Sequence, residues 1–266
     1  MLTALALGLV IGIILALTGA GGGILAVPLL VFGLQMGVSQ AGPIGLLAVG
    51  MAAALGALLG LRDGIVRYRA ALLIAVAGML LSPAGLWLAH RIDNRSLSVL
   101  FAIVLLLVAV RTWRQARRST TTCASAPTAL YPCQRSADSG RFIWTSACAR
   151  ALALSGTIAG LLSGLLGVGG GFVMVPALQR YTDLPMRSVV ATSLAVIALV
   201  SVTGVATSAA TGGVVWPVAL PFSAGALAGM LGGRALAARL AGPHLQIGFA
   251  MISAAVAVGM IVKSTL

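Results

Sequence analysis

Apolar residues in this chain fall in long runs, not in alternation with polar ones. The runs cover about 3–34, 43–61, 70–89, 96–113, 149–178, 189–210, 216–237 and 244–262. They are rich in Leu, Ala, Val and Gly, and their lack of polar alternation predicts helices apolar on every side, not barrel strands. Several reach the roughly 20 residues that a helix needs to cross the hydrocarbon core of a bilayer. Two are too long for one crossing: a continuous helix over 3–34 would measure about 48 Å at 1.5 Å per residue, against a core of about 30 Å. Both contain three consecutive glycines, Gly21–Gly23 and Gly169–Gly171, followed by a proline, Pro28 or Pro176. Glycine costs a helix interior about 1 kcal/mol and proline about 3 kcal/mol. The first helix of each half is therefore expected to break at its glycines, with Pro28 and Pro176 as further helix breaks. A break either kinks one span or reverses the chain.

The chain repeats itself. A shift of 148 positions carries Gly19, Gly21, Gly22, Gly23, Val27, Pro28 and Leu30 onto Gly167, Gly169, Gly170, Gly171, Val175, Pro176 and Leu178, with no gap. Gly8, Gly12, Gly56, Gly64 and Arg91 land on Gly156, Gly160, Gly204, Gly212 and Arg239. The organisation is a first transmembrane repeat (1–113), a basic hydrophilic linker (114–148) expected on the cytoplasmic side, and a second transmembrane repeat (149–266). The linker, with Ser, Thr, Pro and Arg114, Arg117, Arg118, Arg135 and Arg141, is expected to be poorly ordered. The N-terminal run lacks a basic start and continues past Gly23, so it reads as part of the membrane domain and not as a signal peptide.

Composition agrees with lipid as the solvent. Only 8% of the 266 residues are charged, 60% are apolar and the mean hydropathy is +1.10, where a soluble domain carries about a quarter charged residues. Seventeen Lys and Arg against four acids give a net charge of +13. The basic residues stand between apolar runs, where they anchor topology. Few aromatics interleave with them, which excludes a nucleic-acid partner. If each long run spans once, eight spans put eleven Lys and Arg inside and six outside. If the chain reverses at each glycine break, fourteen lie inside and only Arg91, Arg95 and Lys263 outside. The positive-inside rule favours the second count, and with it an inverted repeat over a simple 4+4 arrangement. Cys123, Cys133 and Cys148 form no CxxC pattern and have no neighbouring His, so no metal site is expected and free thiols are the default.

Candidate chemistry centres on the glycine segments. Amides at the start of the helix after each break, near Ile24 and Phe172, would lack intrahelical partners and offer an anion site without a cationic side chain. Gly21, Gly22, Gly23, Gly169, Gly170 and Gly171 are thus candidate substrate-binding residues. Thr192 and Ser193 are the first choice for side-chain donors, ahead of Thr18, Ser163, Ser201, Thr203, Thr207 and Ser208, any of which can instead bond back to its own helix. The ladders Gly156/Gly160/Gly164 and Gly225/Gly229/Gly233 read as helix packing. Asp63, Asp93, Asp138 and Asp183 lie in loops or at span ends, which argues against a cation substrate. His90 and His244 lie at span ends too. No catalytic triad, HExxH or P-loop pattern occurs, so no catalytic residues, enzyme activity or cofactor are expected.

The twin segments Gly19–Leu30 and Gly167–Leu178, with Ala191-Thr192-Ser193-Leu194 after the second, resemble the sulfite exporter TauE/SafE family over essentially the whole chain. The resemblance implies a multi-pass secondary transporter of the cell (inner) membrane that exports a small, often sulfur-containing anion such as sulfite, thiosulfate or a sulfonate. The implied partners are the lipid bilayer and that solute. Where the second half has Ala191-Thr192-Ser193-Leu194, the first has Pro43-Ile44-Gly45-Leu46, so any site is asymmetric. A passive anion channel and a non-transporting accessory or scaffold subunit are the alternatives, and no sequence feature sets an oligomeric state.

Overall fold

The computed structural model describes residues 2–19, 21–121, 133, 145–210, 212–240 and 243–265. These are all-helical apart from one isolated bridge between Cys133 and Thr182. The elements are α1 (Leu2–Thr18), α2 (Gly21–Gly33), α3 (Val38–Arg62), α4 (Tyr68–Arg91), α5 (Asn94–Thr121), α6 (Ser146–Leu166), α7 (Gly171–Tyr181), α8 (Met186–Ala210), α9 (Trp216–Leu240) and α10 (Pro243–Thr265). Five stretches among the described residues are long and apolar enough to cross a membrane: Val38–Arg62, Tyr68–Ala89, Arg95–Arg114, Ser146–Leu166 and Met186–Ala210. Large apolar side chains such as Leu72, Leu80, Trp87, Leu107 and Leu220 point outward from the bundle, as lipid contact requires and water would penalise.

Elements of the two halves correspond in order, and α3 and α4 begin 148 residues before α8 and α9. Local chemistry sets several ends. The turns after α3 and α8 use Gly64 and Gly212, both at φ +69°, where a Cβ would be strained. Thr145 caps α6 by accepting a hydrogen bond from the Cys148 amide at 3.2 Å, and Gly167 ends α6 in the left-handed region with its amide bonded to the Ser163 carbonyl, a common glycine cap.

Packing rests on small residues. Gly8 and Gly12 of α1 lie against the backbone of Phe222, Ala226 and Met230 in α9, and Gly225, Gly229 and Gly233 return the contact to Leu5, Leu9 and Ile13. The same arrangement joins α6 to α4: Gly156, Gly160 and Gly164 lie against the backbone of Ile74, Gly78 and Ser82. In both pairs residue numbers rise together, so the helices are parallel. Any Cβ at these ladder glycines would enter the neighbouring backbone, which is how small residues let membrane helices approach closely. At the centre, α3 and α8 cross antiparallel, with Leu46 opposite Gly204, Gly50 opposite Ser201, Gly56 opposite Leu194 and Gly60 opposite Ala191.

Several expectations need correction. Pro28 and Pro176 do not end helices but lie inside α2 and α7. A proline forfeits one backbone hydrogen bond, a loss that packed membrane helices tolerate. The first interruption falls upstream of Gly21–Gly23, which already form the start of α2; α1 ends at Thr18, and Gly19 takes the left-handed conformation at φ +75°. The second lies at Gly167–Gly170, with Gly167, Gly169 and Gly170 at φ +68°, +75° and +66°. Cys133 and Cys148 are not free thiols but a disulfide, with Cα atoms 5.0 Å apart, a separation ordinary for such a bond. Helix α5 continues past Arg114 to Thr121. The expected disorder of the linker concerns 122–132 and 134–144, which lie outside the described residues, as does Cys123.

Candidate functional site

After each interruption the chain folds back along the helix it has just left. Gly22 lies beside Leu15 and Ile11, and Gly33 beside Leu7, so α2 returns antiparallel along α1. Gly170 lies against the Ala159 backbone in the equivalent place on α6. The two turns also meet: a Cβ on Gly23 would collide with the Val168 carbonyl. Each turn is covered by the central helix of the other half, with Gly19 against Val190 of α8 and Gly167 against Gly42 of α3. Gly22, Gly23, Gly169, Gly170 and Gly171 are all buried, so the glycine segments stand together in the interior.

Thr192 and Ser193 are completely buried in α8. They belong to the neighbourhood of the first turn, because Ser193 donates to the Val190 carbonyl at 2.8 Å and Val190 packs on Gly19. Thr192 Oγ1 accepts the Arg67 amide at 3.2 Å, which ties the loop before α4 to α8. Other hydroxyls bond back to their own helix: Thr18 to the Ile14 carbonyl, Thr207 to the Thr203 carbonyl and Ser208 to the Gly204 carbonyl.

Every buried polar side chain among the described residues is Ser or Thr. Five of these hydroxyls make no hydrogen bond: Ser82, Ser163, Ser201, Ser223 and Ser253. Three cluster at the second turn. Ser163 lies one helical turn before Gly167, Ser201 Oγ faces Gly169, and Ser82 Oγ stands behind Gly204. Ser82 escaped the sequence reading, although it is the lone hydroxyl in its apolar run. A small pocket opens beside this cluster, lined by Val38, Gly42, Ser163, Gly167, Gly204 and Ser208 among others. The first turn of α3 forms part of its wall, and α3 has no side-chain cap at Gly37, so the positive end of that helix dipole faces the pocket. At the first turn, the exposed carboxylate of Asp63 pairs with Arg234.

A bundle of apolar helices, parallel ladders of glycine and paired interior glycine turns define a polytopic helical membrane protein. The chain's relatives place it more closely. The model of the sulfite exporter TauE/SafE family matches residues 4–260, and the chain belongs to that family of membrane transporters. It is 31% identical over 262 residues to a Xylella fastidiosa (strain 9a5c) protein named "Probable membrane transporter protein", covering 97% of this chain and 93% of the relative. It is 29% identical over 227 residues to "Probable membrane transporter protein YunE" of Bacillus subtilis (strain 168), covering 83% and 82%. A Methanocaldococcus jannaschii relative, also named a probable membrane transporter protein, is 29% identical over 203 residues, covering 74% and 68%. No solved structure matches the chain.

Proposed function

We propose that this transporter is a secondary carrier of a bacterial-type inner membrane that exports a small sulfur-containing anion such as sulfite, thiosulfate or a sulfonate. The observation that carries the reading is the meeting of two buried glycine turns in an interior where, among the described residues, the buried polar side chains are all hydroxyls. Hydroxyls and unpaired backbone amides donate to an oxyanion without holding it as tightly as a buried cation would. The solute path runs along Gly21, Gly22, Gly23, Gly169, Gly170 and Gly171, with Thr192 contributing its hydroxyl proton and Ser193 supporting the first turn.

The halves are inverted copies, each broken at its glycines. Support comes from α3 lying antiparallel to its own equivalent, α8, and from α2 reversing along α1. Five helices per half then bring the chain to the opposite face, which agrees with fourteen basic residues inside and three outside. Such a pair can alternate access around a midplane site. The membrane potential, negative inside, drives anion exit.

Efflux of labelled sulfite, thiosulfate and a small sulfonate from proteoliposomes tests the proposal. Saturable flux of one of them is expected, with Gly170→Leu reducing it at least tenfold, because a side chain there meets the Ala159 backbone and cannot easily hold φ +66°. Flux of none of the three by folded, inserted protein would overturn the substrate assignment.

A further inference from the structure

The 148-residue repeat allows each residue around the second turn to be compared with its counterpart at the first. Ser163 has Leu15 as its counterpart, Ser82 has Met230, Ser201 has Ala53 and Gly42 has Val190. All three orphaned hydroxyls are therefore replaced by apolar side chains, and the glycine by a branched one. The consequence is visible in the packing. The Val190 side chain packs on Gly19 and the Met230 methyl reaches Gly56, whereas Gly42 meets Gly167 with backbone alone and both of these glycines, with Gly204, the counterpart of Gly56, line the pocket. Ser163 is fully buried, lines that pocket and has no hydrogen-bond partner.

From this asymmetry we infer that the pocket beside the second turn is the oxyanion-binding site, with Ser163 its orphaned hydroxyl donor, and that its counterpart at the first turn is closed by apolar side chains. The inference rests on the carrier reading above and narrows its path to one side. Burying a hydroxyl without a partner costs stability, and Ser163, unpartnered on the pocket wall, is retained most simply because a solute completes it. An anion suits the site better than a cation: the N-terminal end of α3 faces it, and no carboxylate is among the described residues that line it. Ala89 and Leu97 line the same pocket. Arg91 and Arg95, each two residues from one of them, are exposed. Those two arginines are also among the three basic residues that the inverted topology leaves outside. The Arg91 guanidinium stacks on the exposed Trp87 ring, so the two cations raise the potential near this end of the bundle without lining the pocket. In the plugged half the position of Leu86 is taken by Arg234, which pairs with Asp63.

The test joins binding to reagent access. Purified full-length Ser163→Ala should bind labelled thiosulfate or sulfite at least tenfold more weakly than the parent, yet melt at the same or a higher temperature. Ser163→Leu, which copies the plugged half, should not bind. In a chain carrying Cys123→Ser, Ser163→Cys should react with a small anionic thiosulfonate and be protected by the oxyanion, whereas Leu15→Cys should stay unreactive. Unchanged binding by Ser163→Leu, an inert Ser163→Cys, or reaction without protection by any oxyanion would each overturn the inference. The carrier reading fails separately: protection of Ser163→Cys without liposome flux keeps the site and removes the carrier. Flux that persists in Ser163→Leu keeps the carrier and removes the site.

Discussion

The turns at Gly19 and at Gly167–Gly170 are counterparts in one repeat, yet they have become different objects. Both hold a left-handed glycine, and both are followed by a helix that folds back along the preceding one. Around the first, Leu15, Met230 and Val190 pack tightly; around the second, Ser163, Ser82 and Gly42 leave orphaned hydroxyls and a pocket. Duplicated backbone geometry is therefore separable from chemistry. Glycines shape the turn in both halves, and a handful of side chains decide which half keeps a pocket.

The comparison can be broken most severely at what the halves share. Gly12→Leu and its counterpart Gly160→Leu each push a side chain into a facing backbone, of Ala226 and Gly78 respectively. Overpacking of this kind costs about 1–3 kcal/mol and occasionally more, and a clash with backbone belongs at the upper end. Both variants should lose monodisperse, heat-stable protein to a similar degree in size-exclusion and melting assays. Equal damage would show that packing is symmetric; damage in one half alone would show that it is not.

Truncation at the positions where the halves differ should give opposite signs. Leu15→Ala opens a cavity at a fully buried site and should cost about 2–5 kcal/mol. Ser163→Ala removes a buried hydroxyl with no partner and should be neutral or stabilising, by up to about 1–3 kcal/mol. Thermal unfolding of the pair side by side measures the contrast. The smallest effect belongs to Asp63→Asn. Its pair with Arg234 is 42% and 49% exposed at the two side chains, and exposed pairs contribute about 0–1 kcal/mol, so the melting temperature should barely move and any shift should vanish in high salt.

Much of this was legible in the amino-acid sequence, for identifiable reasons. The gapless shift that aligns Gly19–Leu30 with Gly167–Leu178 announces a duplication, and ladder glycines spaced four apart mark the helix faces that touch. Where the chain turns was less legible. Gly19 and Gly21–Gly23 offer several candidate sites, and the left-handed conformation falls at Gly19, which packs on Val190, a residue of the other half. The prolines misled, because proline's cost in a helix does not forbid a short buried helix from running through Pro28 or Pro176. The hydroxyls were the least legible. Ser193 and Ser163 look alike in a linear reading, but one is bonded back to Val190 and the other has no partner, a difference made by tertiary packing. The asymmetry itself was foreshadowed by Pro43-Ile44-Gly45-Leu46 standing opposite Ala191-Thr192-Ser193-Leu194.

The central claim is that two oppositely oriented copies of one fold face each other, and Gly64 and Gly212 test it most directly. They are counterparts under the repeat, and a side chain at either meets nothing within 4 Å. The measurement is labelling of Gly64→Cys and Gly212→Cys, each in a Cys123→Ser chain, by a membrane-impermeant maleimide on intact cells and again after permeabilisation. The inverted arrangement predicts that position 212 labels from outside and position 64 only once the membrane is opened. Labelling of both from the same side would contradict it.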